Sequence, residues 1–232
     1  MLKKLSLLTL AVSLTLVPWM PLPAKAGDKE PVELLLPHAA FTSPAADKGG
    51  KFGLIAKKFA DYSTAGISLV PTNPLVAETL ETPVLLSLTI PGDHKRTHFL
   101  IGTSSAYSWE QISSTAPYRL TGTLRYRLTS SALPTPGEMS FGVALLEGQI
   151  DAQPSTTDTA RLRDQTSSFG LDDEAMAFLV KGHFPTLTDE EALQMARALI
   201  KSEIGVEMRV RVRVRSVSGF DVTQASLYVW GD

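Results

Sequence analysis

Cysteine is absent from all 232 residues, which excludes disulfides, thiol catalysis, thiolate metal sites and a lipid-modified cysteine at an export cleavage site. Stability must come from packing alone. No apolar run approaches the roughly 20 residues that a membrane-spanning helix requires, residues 5–17 being the nearest to it. A nucleophile elbow, a phosphate-cradling loop and a dinucleotide fingerprint are all missing. Any pair among the 24 carboxylates could serve as acid and base, but nothing in the sequence singles one out, so the chain reads as non-catalytic. An excess of positive charge is lacking too: 22 Lys and Arg stand against 24 Asp and Glu. That balance argues against a general nucleic-acid binder.

What is present begins with an export leader at residues 1–26. Lys3 and Lys4 precede the apolar run 5–17, and Ala24-Lys25-Ala26 offers the small residues a signal peptidase accepts, with a membrane anchor as the alternative reading of this segment. The mature chain is then expected to be periplasmic or extracellular, with no stable membrane insertion. Of its charges, 19 basic and 24 acidic residues remain, a formal −5. Residues 27–50 mix Pro31, Pro37, Pro44 and Gly49-Gly50 with one short apolar run, 32–36, and read as an irregular leader holding one edge strand.

Residues 51–232 carry the domain, and within it the segment 206–217 is the clearest pattern. Val206, Met208, Val210, Val212 and Val214 alternate with Glu207, Arg209, Arg211, Arg213 and Arg215. Successive side chains of a strand point to opposite faces, so this is a half-buried strand with an apolar row that another layer must cover. Residues 118–128 repeat the logic: Tyr118, Leu120, Leu124, Tyr126 and Leu128 against Arg119, Thr121, Thr123, Arg125 and Arg127. Residues 67–70, 84–90, 97–101 and 139–146 also read as strands, those at 84–90 and 97–101 forming a hairpin around Pro91-Gly92-Asp93. Residues 52–62 fit a short helix or a strand equally well.

Residues 149–168 run polar and predict a long exposed loop. Residues 188–204 predict a helix, with Thr188 and Glu191 as a capping box, acids at its start and Gly205 as a left-handed cap. Ser218-Gly219 then predicts a turn into a last strand, 221–230, in which Thr223, Ala225, Leu227 and Val229 oppose Val222, Gln224, Ser226, Tyr228 and Trp230. At least six strands to one good helix make a mainly β fold, a two-layer antiparallel β-sandwich with one packed α-helix.

Trp109-Glu110-Gln111-Ile112 followed by residues 117–127 forms one distinctive stretch, and residues 209–217 followed by 219–229 form another. The first is similar to the segment that precedes a central strand, and the second to the closing strand pair, of the jelly-roll carbohydrate-binding modules of the galactose-binding-like superfamily. The likeness spans residues 84–232 and implies a jelly roll that binds a glycan. Two features depart from that family: the predicted helix 188–204 stands where a strand precedes the closing pair, and the second of two adjacent acids near Asp221 is missing. The second departure tells against a structural calcium of the family kind.

The candidate ligand-binding residues are of two kinds. Arg119, Arg125, Arg127, Arg209, Arg211, Arg213 and Arg215 are seven of the eleven arginines. Where the two ladders are neighbours they form a dense patch suited to a sulfated or uronic sugar or a lipid phosphate, and the plainer reading is a solvated face balanced by cross-strand acids. Tyr107, Trp109, Tyr228 and Trp230 offer aromatic faces on which sugar rings stack, with core packing as their plainer reading. No metal or other cofactor is expected. His94 and His98 have helical zinc-ligand spacing but flank a turn and a strand, and Asp172-Asp173-Glu174, which has oxygens for calcium, serves as well as the acidic start of a short helix. The sequence thus points to an exported binding module for a polysaccharide or another anionic cell-envelope polymer. The rival reading is a structural or assembly protein that binds another protein through a sheet edge or the polar loop.

Overall fold

Strict alternation of valine and arginine builds β10 (Ile204–Arg215), whose inward row Val206, Met208, Val210, Val212 and Val214 is at most 1% exposed. Burial of such side chains is worth about 1.5–3 kcal/mol each and decides which face turns inward. The same sorting holds in β7 (Arg119–Thr129), its antiparallel neighbour, where Leu120, Leu124, Tyr126 and Leu128 are buried. A computed structural model describes residues 34–36, 53–62, 64, 66–112, 118–146 and 159–232, with 34–36, 144–146 and 159–168 described as backbone. The predicted leader 1–26 and most of 27–50 lie outside the described residues.

The remaining strands are β1 (Leu34–Leu36), β2 (Gly53–Asp61), β3 (Ile67–Leu69), β4 (Glu78–Glu81), β5 (Leu86–Ile90), β6 (Phe99–Gln111), β8 (Glu138–Leu146), β9 (Thr159–Leu171) and β11 (Val217–Gly231). Sheet A runs β1-β8-β7-β10-β4, with β5 beside β4 on the same edge of β10; sheet B runs β2-β11-β6-β9, with β3 on the same edge of β11. β4 and β5 are one strand interrupted at residues 82–85, where Thr82 and Leu85 still donate backbone hydrogen bonds to Val210 and Met208. All pairings are antiparallel except that of β1 with β8.

The topology is that of a rolled hairpin. From the β7–β8 turn outward, the antiparallel pairs are β7 with β8 in sheet A, β6 with β9 in sheet B, β4/β5 with β10 in sheet A, and β2/β3 with β11 in sheet B. Nested pairs alternating between two sheets are a jelly roll. Its core lies between the sheets, where Tyr126 and Phe141 stack at 5.3 Å and Phe169 meets both edge-on at 5.1 and 5.3 Å.

Several expectations are corrected here. Residues 84–90 and 97–101 are not a hairpin: β5 pairs with β10 in one sheet and β6 with β11 and β9 in the other, so residues 91–98 cross between layers. Buried Arg96 holds that crossing, donating to the carbonyls of Pro91 and of Ile200. Residues 159–168 belong to β9 rather than to a loop, and 149–158 lie outside the described residues.

There are two described helices, not one: α1 (Asp173–His183), capped by Asp172, and α2 (Asp189–Lys201), with the capping box of Thr188 and Glu191 in place. α2 ends at Ser202, and Gly205 lies within β10, where an added Cβ would stand 2.4 Å from the Thr129 hydroxyl; close approach, not a left-handed cap, requires glycine there. The last turn is at Ser216, with φ 60°, rather than at Ser218-Gly219. In β11 an extra residue beside β6, between Val222 and Gln224, lets Phe220 and Val222 share the core with Ala225, Leu227 and Val229, which strict alternation would have put on opposite faces.

Candidate guanidinium site

Because β7 and β10 are neighbours, all seven predicted arginines share the outer face of sheet A. Arg125 lies opposite Arg209, and Arg119 opposite Arg215. Like charges directly opposite cost free energy unless acids intervene. Three do. Glu81, opposite Arg211 on β4, accepts from Arg125 Nη1 at 2.8 and 2.9 Å and from Arg211 Nε and Nη2 at 3.2 and 2.9 Å. Glu138 on β8 pairs with Arg127, and Glu207 lies 3.6 Å from Arg127 and 3.9 Å from Arg209.

These groups surround a pocket of about 190 Å³, lined by Glu81, Arg125, Arg127, Glu138, Glu207 and Arg209 with Tyr126 and Ser140. Burial pushes the Glu81 carboxyl upward, but hydrogen bonds and charge from Arg211 and Arg125 outweigh it and hold the group below the ordinary carboxylate range. It therefore remains a counterion at neutral pH and is a poor proton donor. Among the described residues these acids sit toward one end of the face. Toward the other, Arg213 and Arg215 are exposed, and neither has an ion pair or hydrogen bond among the described residues.

The eleven predicted ligand residues are thus divided. Arg119, Arg125, Arg127, Arg209, Arg211, Arg213 and Arg215 share one face. Tyr107 and Trp109 are corrected to core residues: inward on β6, at 1% and 4% exposure, they have no free ring face, Tyr107 stacking on Phe220 at 5.5 Å and Trp109 lying 6.3 Å from Tyr118. Tyr228 and Trp230 are half-exposed on sheet B, turned away from the core-facing Leu227 and Val229, and stack on each other at 5.5 Å. They are on the opposite layer from the arginines. The acids Glu81 and Glu138 were not singled out by sequence; Glu207 was legible from its place in the β10 alternation. A period-two reading of Glu78–Glu81 would have put Glu81 on the face opposite Leu80, and its pairing with β10 makes that the arginine face.

The acidic run at the start of α1 is accounted for by the helix: Asp172 accepts from the Ala175 N–H at 2.9 Å, and Asp173 pairs with Arg197 at 2.8 Å. His98 lies 3.4 Å from Asp232. Among the described residues no group of three or more His, Asp or Glu is arranged to hold a metal ion.

No family model matches this chain, and no curated protein matches it. Among solved structures it is similar to that of the infectious bursal disease virus Gt strain, with 7% identity and a TM-score of 0.28, over 77% of this chain and 32% of that one. The Gx strain of the same virus gives 11% identity and a TM-score of 0.26 over the same shares, and the VP2 subviral particle of that virus 11% and 0.21, over 77% and 31%. The chain spans about a third of the length of those it matches. Scores this low leave the fold resting on its own strand order.

Proposed function

We propose that this protein is an exported, non-catalytic binding module that grips an anionic cell-envelope polymer, such as a uronic or sulfated glycan, along the outer face of sheet A. The observation that carries this reading is the uneven charge of that face: among the described residues, seven guanidiniums stand against three carboxylates, and Arg213 and Arg215 have no acidic partner. Arginine matches the carboxylate and sulfate groups of such polymers with paired donors in a rigid fork. Along β10 the arginines repeat every second residue, roughly 7 Å apart, so a chain-like anion meets a row of donors rather than a single point.

Retention of the protein on polygalacturonate, a sulfated glycan and a neutral glucan, at low and high salt, tests the proposal. Binding to the anionic polymers at low salt with release at high salt is expected. Arg211→Glu with Arg213→Glu weakens that binding by about tenfold or more and leaves any neutral-glucan binding unchanged. Failure to be retained by any polymer at any salt ends the proposal, and equal loss on neutral and anionic polymers removes the arginines from it. Trp230→Ala, on the opposite layer, leaves anionic binding intact.

A second reading, assembly with another protein, draws on β2. It is an end strand of sheet B and exposes Leu54 and Phe59, the latter at 62%. Lys57 and Lys58 lie between these two, and such charges on a strand discourage edge-to-edge pairing. The arginine face is the better supported site.

A further inference from the structure

Seven large apolar side chains are exposed among the described residues, and four of them, Val70, Leu75, Val76 and Ile112, gather at one end of the sandwich. They are 67, 67, 57 and 42% exposed. Ser216 ties this end together: its N–H donates to the Pro74 carbonyl at 2.7 Å and its carbonyl accepts from the Ile112 N–H at 3.3 Å. The connection 70–77 is also braced from within. The Glu78 carboxylate accepts from the Thr72 N–H at 2.8 Å and hydroxyl at 3.2 Å, while Asn73 accepts from the N–H groups of Leu75 and Val76, each at 3.1 Å. Leu75 and Val76 are thus held out into solvent by a built scaffold.

Arg215 immediately precedes the Ser216 junction, Arg213 lies two residues earlier on the same face, and Arg119 is the cross-strand neighbour of Arg215. Among the described residues the acids at this end are otherwise placed: Glu78 is engaged by Thr72, while Glu110, within 3.2 Å of the Ser218 hydroxyl, and Asp221, opposite Ser68 and Ser108, lie on sheet B. The end therefore presents an apolar tip flanked on its sheet A side by guanidiniums. A soluble polyanion would satisfy the arginines and leave the tip in water. A bilayer with anionic headgroups satisfies both, taking the tip into the headgroup and acyl boundary and the guanidiniums onto phosphates.

We infer that this end of the sandwich docks on an anionic lipid surface, with Val70, Leu75, Val76 and Ile112 entering the interface and Arg213 and Arg215 meeting lipid phosphates. The inference goes beyond polymer binding and does not depend on it.

Flotation of the full chain with vesicles of phosphatidylcholine, alone or mixed with phosphatidylglycerol, tests it. Since the chain has no cysteine, Leu75→Cys and Ser131→Cys each accept a single environment-sensitive dye. The dye at 75 is expected to shift to the blue on mixed vesicles only, while the dye at 131, in the β7–β8 turn at the far end, keeps its aqueous emission. Leu75→Asp with Val76→Asp, and separately Arg213→Glu with Arg215→Glu, lower vesicle affinity by about tenfold or more at an unchanged melting temperature. Residues 5–17 are identical in every variant, so binding through them would survive the aspartates. No shift at 75, equal shifts at 75 and 131, or undiminished flotation of the aspartate variant overturns the inference. So does self-association that the aspartates abolish without any vesicle binding. Polymer retention of the aspartate variant stays at the parent level, which separates failure here from failure of the polymer reading.

Discussion

Glu81 stands between two guanidiniums, bonded to Arg125 and to Arg211, and its replacement would remove the carboxylate that both share beside Arg209. Glu81→Gln is expected to cost about 1–2 kcal/mol at neutral pH, measured by denaturant unfolding. Its carboxyl is held below the ordinary range, so its contribution is present above about pH 4 and is lost as pH falls through the lower folded value. Asp232 acts in the same direction: burial raises its carboxyl, but the Thr97 hydroxyl and the N–H groups of Thr97 and His98, with the charge of His98, prevail and lower it. The melting temperature should fall between about pH 5 and pH 3, and less steeply in Glu81→Gln; an unchanged slope would mean that other carboxylates dominate acid unfolding. At Gly205, an added Cβ would meet the stiff side chain of Thr129. Gly205→Ala should therefore cost about 1–3 kcal/mol, and Thr129→Ala in the same chain should recover part of it.

The elements divide by how much of their stability is written in side-chain periodicity. β7, β10 and the capping box of α2 were legible because each is specified by its own residues, a period of two or a hydroxyl three positions before a glutamate. Thr188→Ala should cost about 1 kcal/mol through loss of that cap, read as a lower unfolding midpoint. β9 was not legible. It is an end strand of sheet B whose sequence, from Thr159 to Leu171, carries no sustained apolar alternation, and pairing with β6 supplies hydrogen bonds that no side chain announces. β11 was half legible, because one extra residue at Thr223 reverses the phase of its alternation. Deleting Thr223 should leave Phe220, Val222, Ala225, Leu227 and Val229 all inward, so the variant should still fold; an unfolded product would mean that the bulge itself is required.

Across the whole molecule, the lack of cysteine makes the jelly roll independent of redox conditions, and thermal unfolding should be the same with and without a thiol reductant. Of the candidate site, the arginine face could be composed from sequence as two alternating rows, but the chain does not state locally that the rows are adjacent; the β7–β10 pairing, between strands about ninety residues apart, makes them one surface. The β4–β10 pairing brings Glu81 onto that surface, and the nested roll gathers Val70, Leu75, Val76 and Ile112 at one end from separate connections. Tyr107 and Trp109 show the converse: alone, an aromatic in a strand has even claims to core and surface, and only the sheet across from it decides. Local periodicity by itself determined that β7 and β10 are strands, which face of each is greasy and where α2 begins, because those depend on neighbours within a few positions. Which sheet each strand joins, which charges meet and which aromatics are left for a ligand were decided only by tertiary structure, because those depend on contacts between segments that periodicity cannot relate.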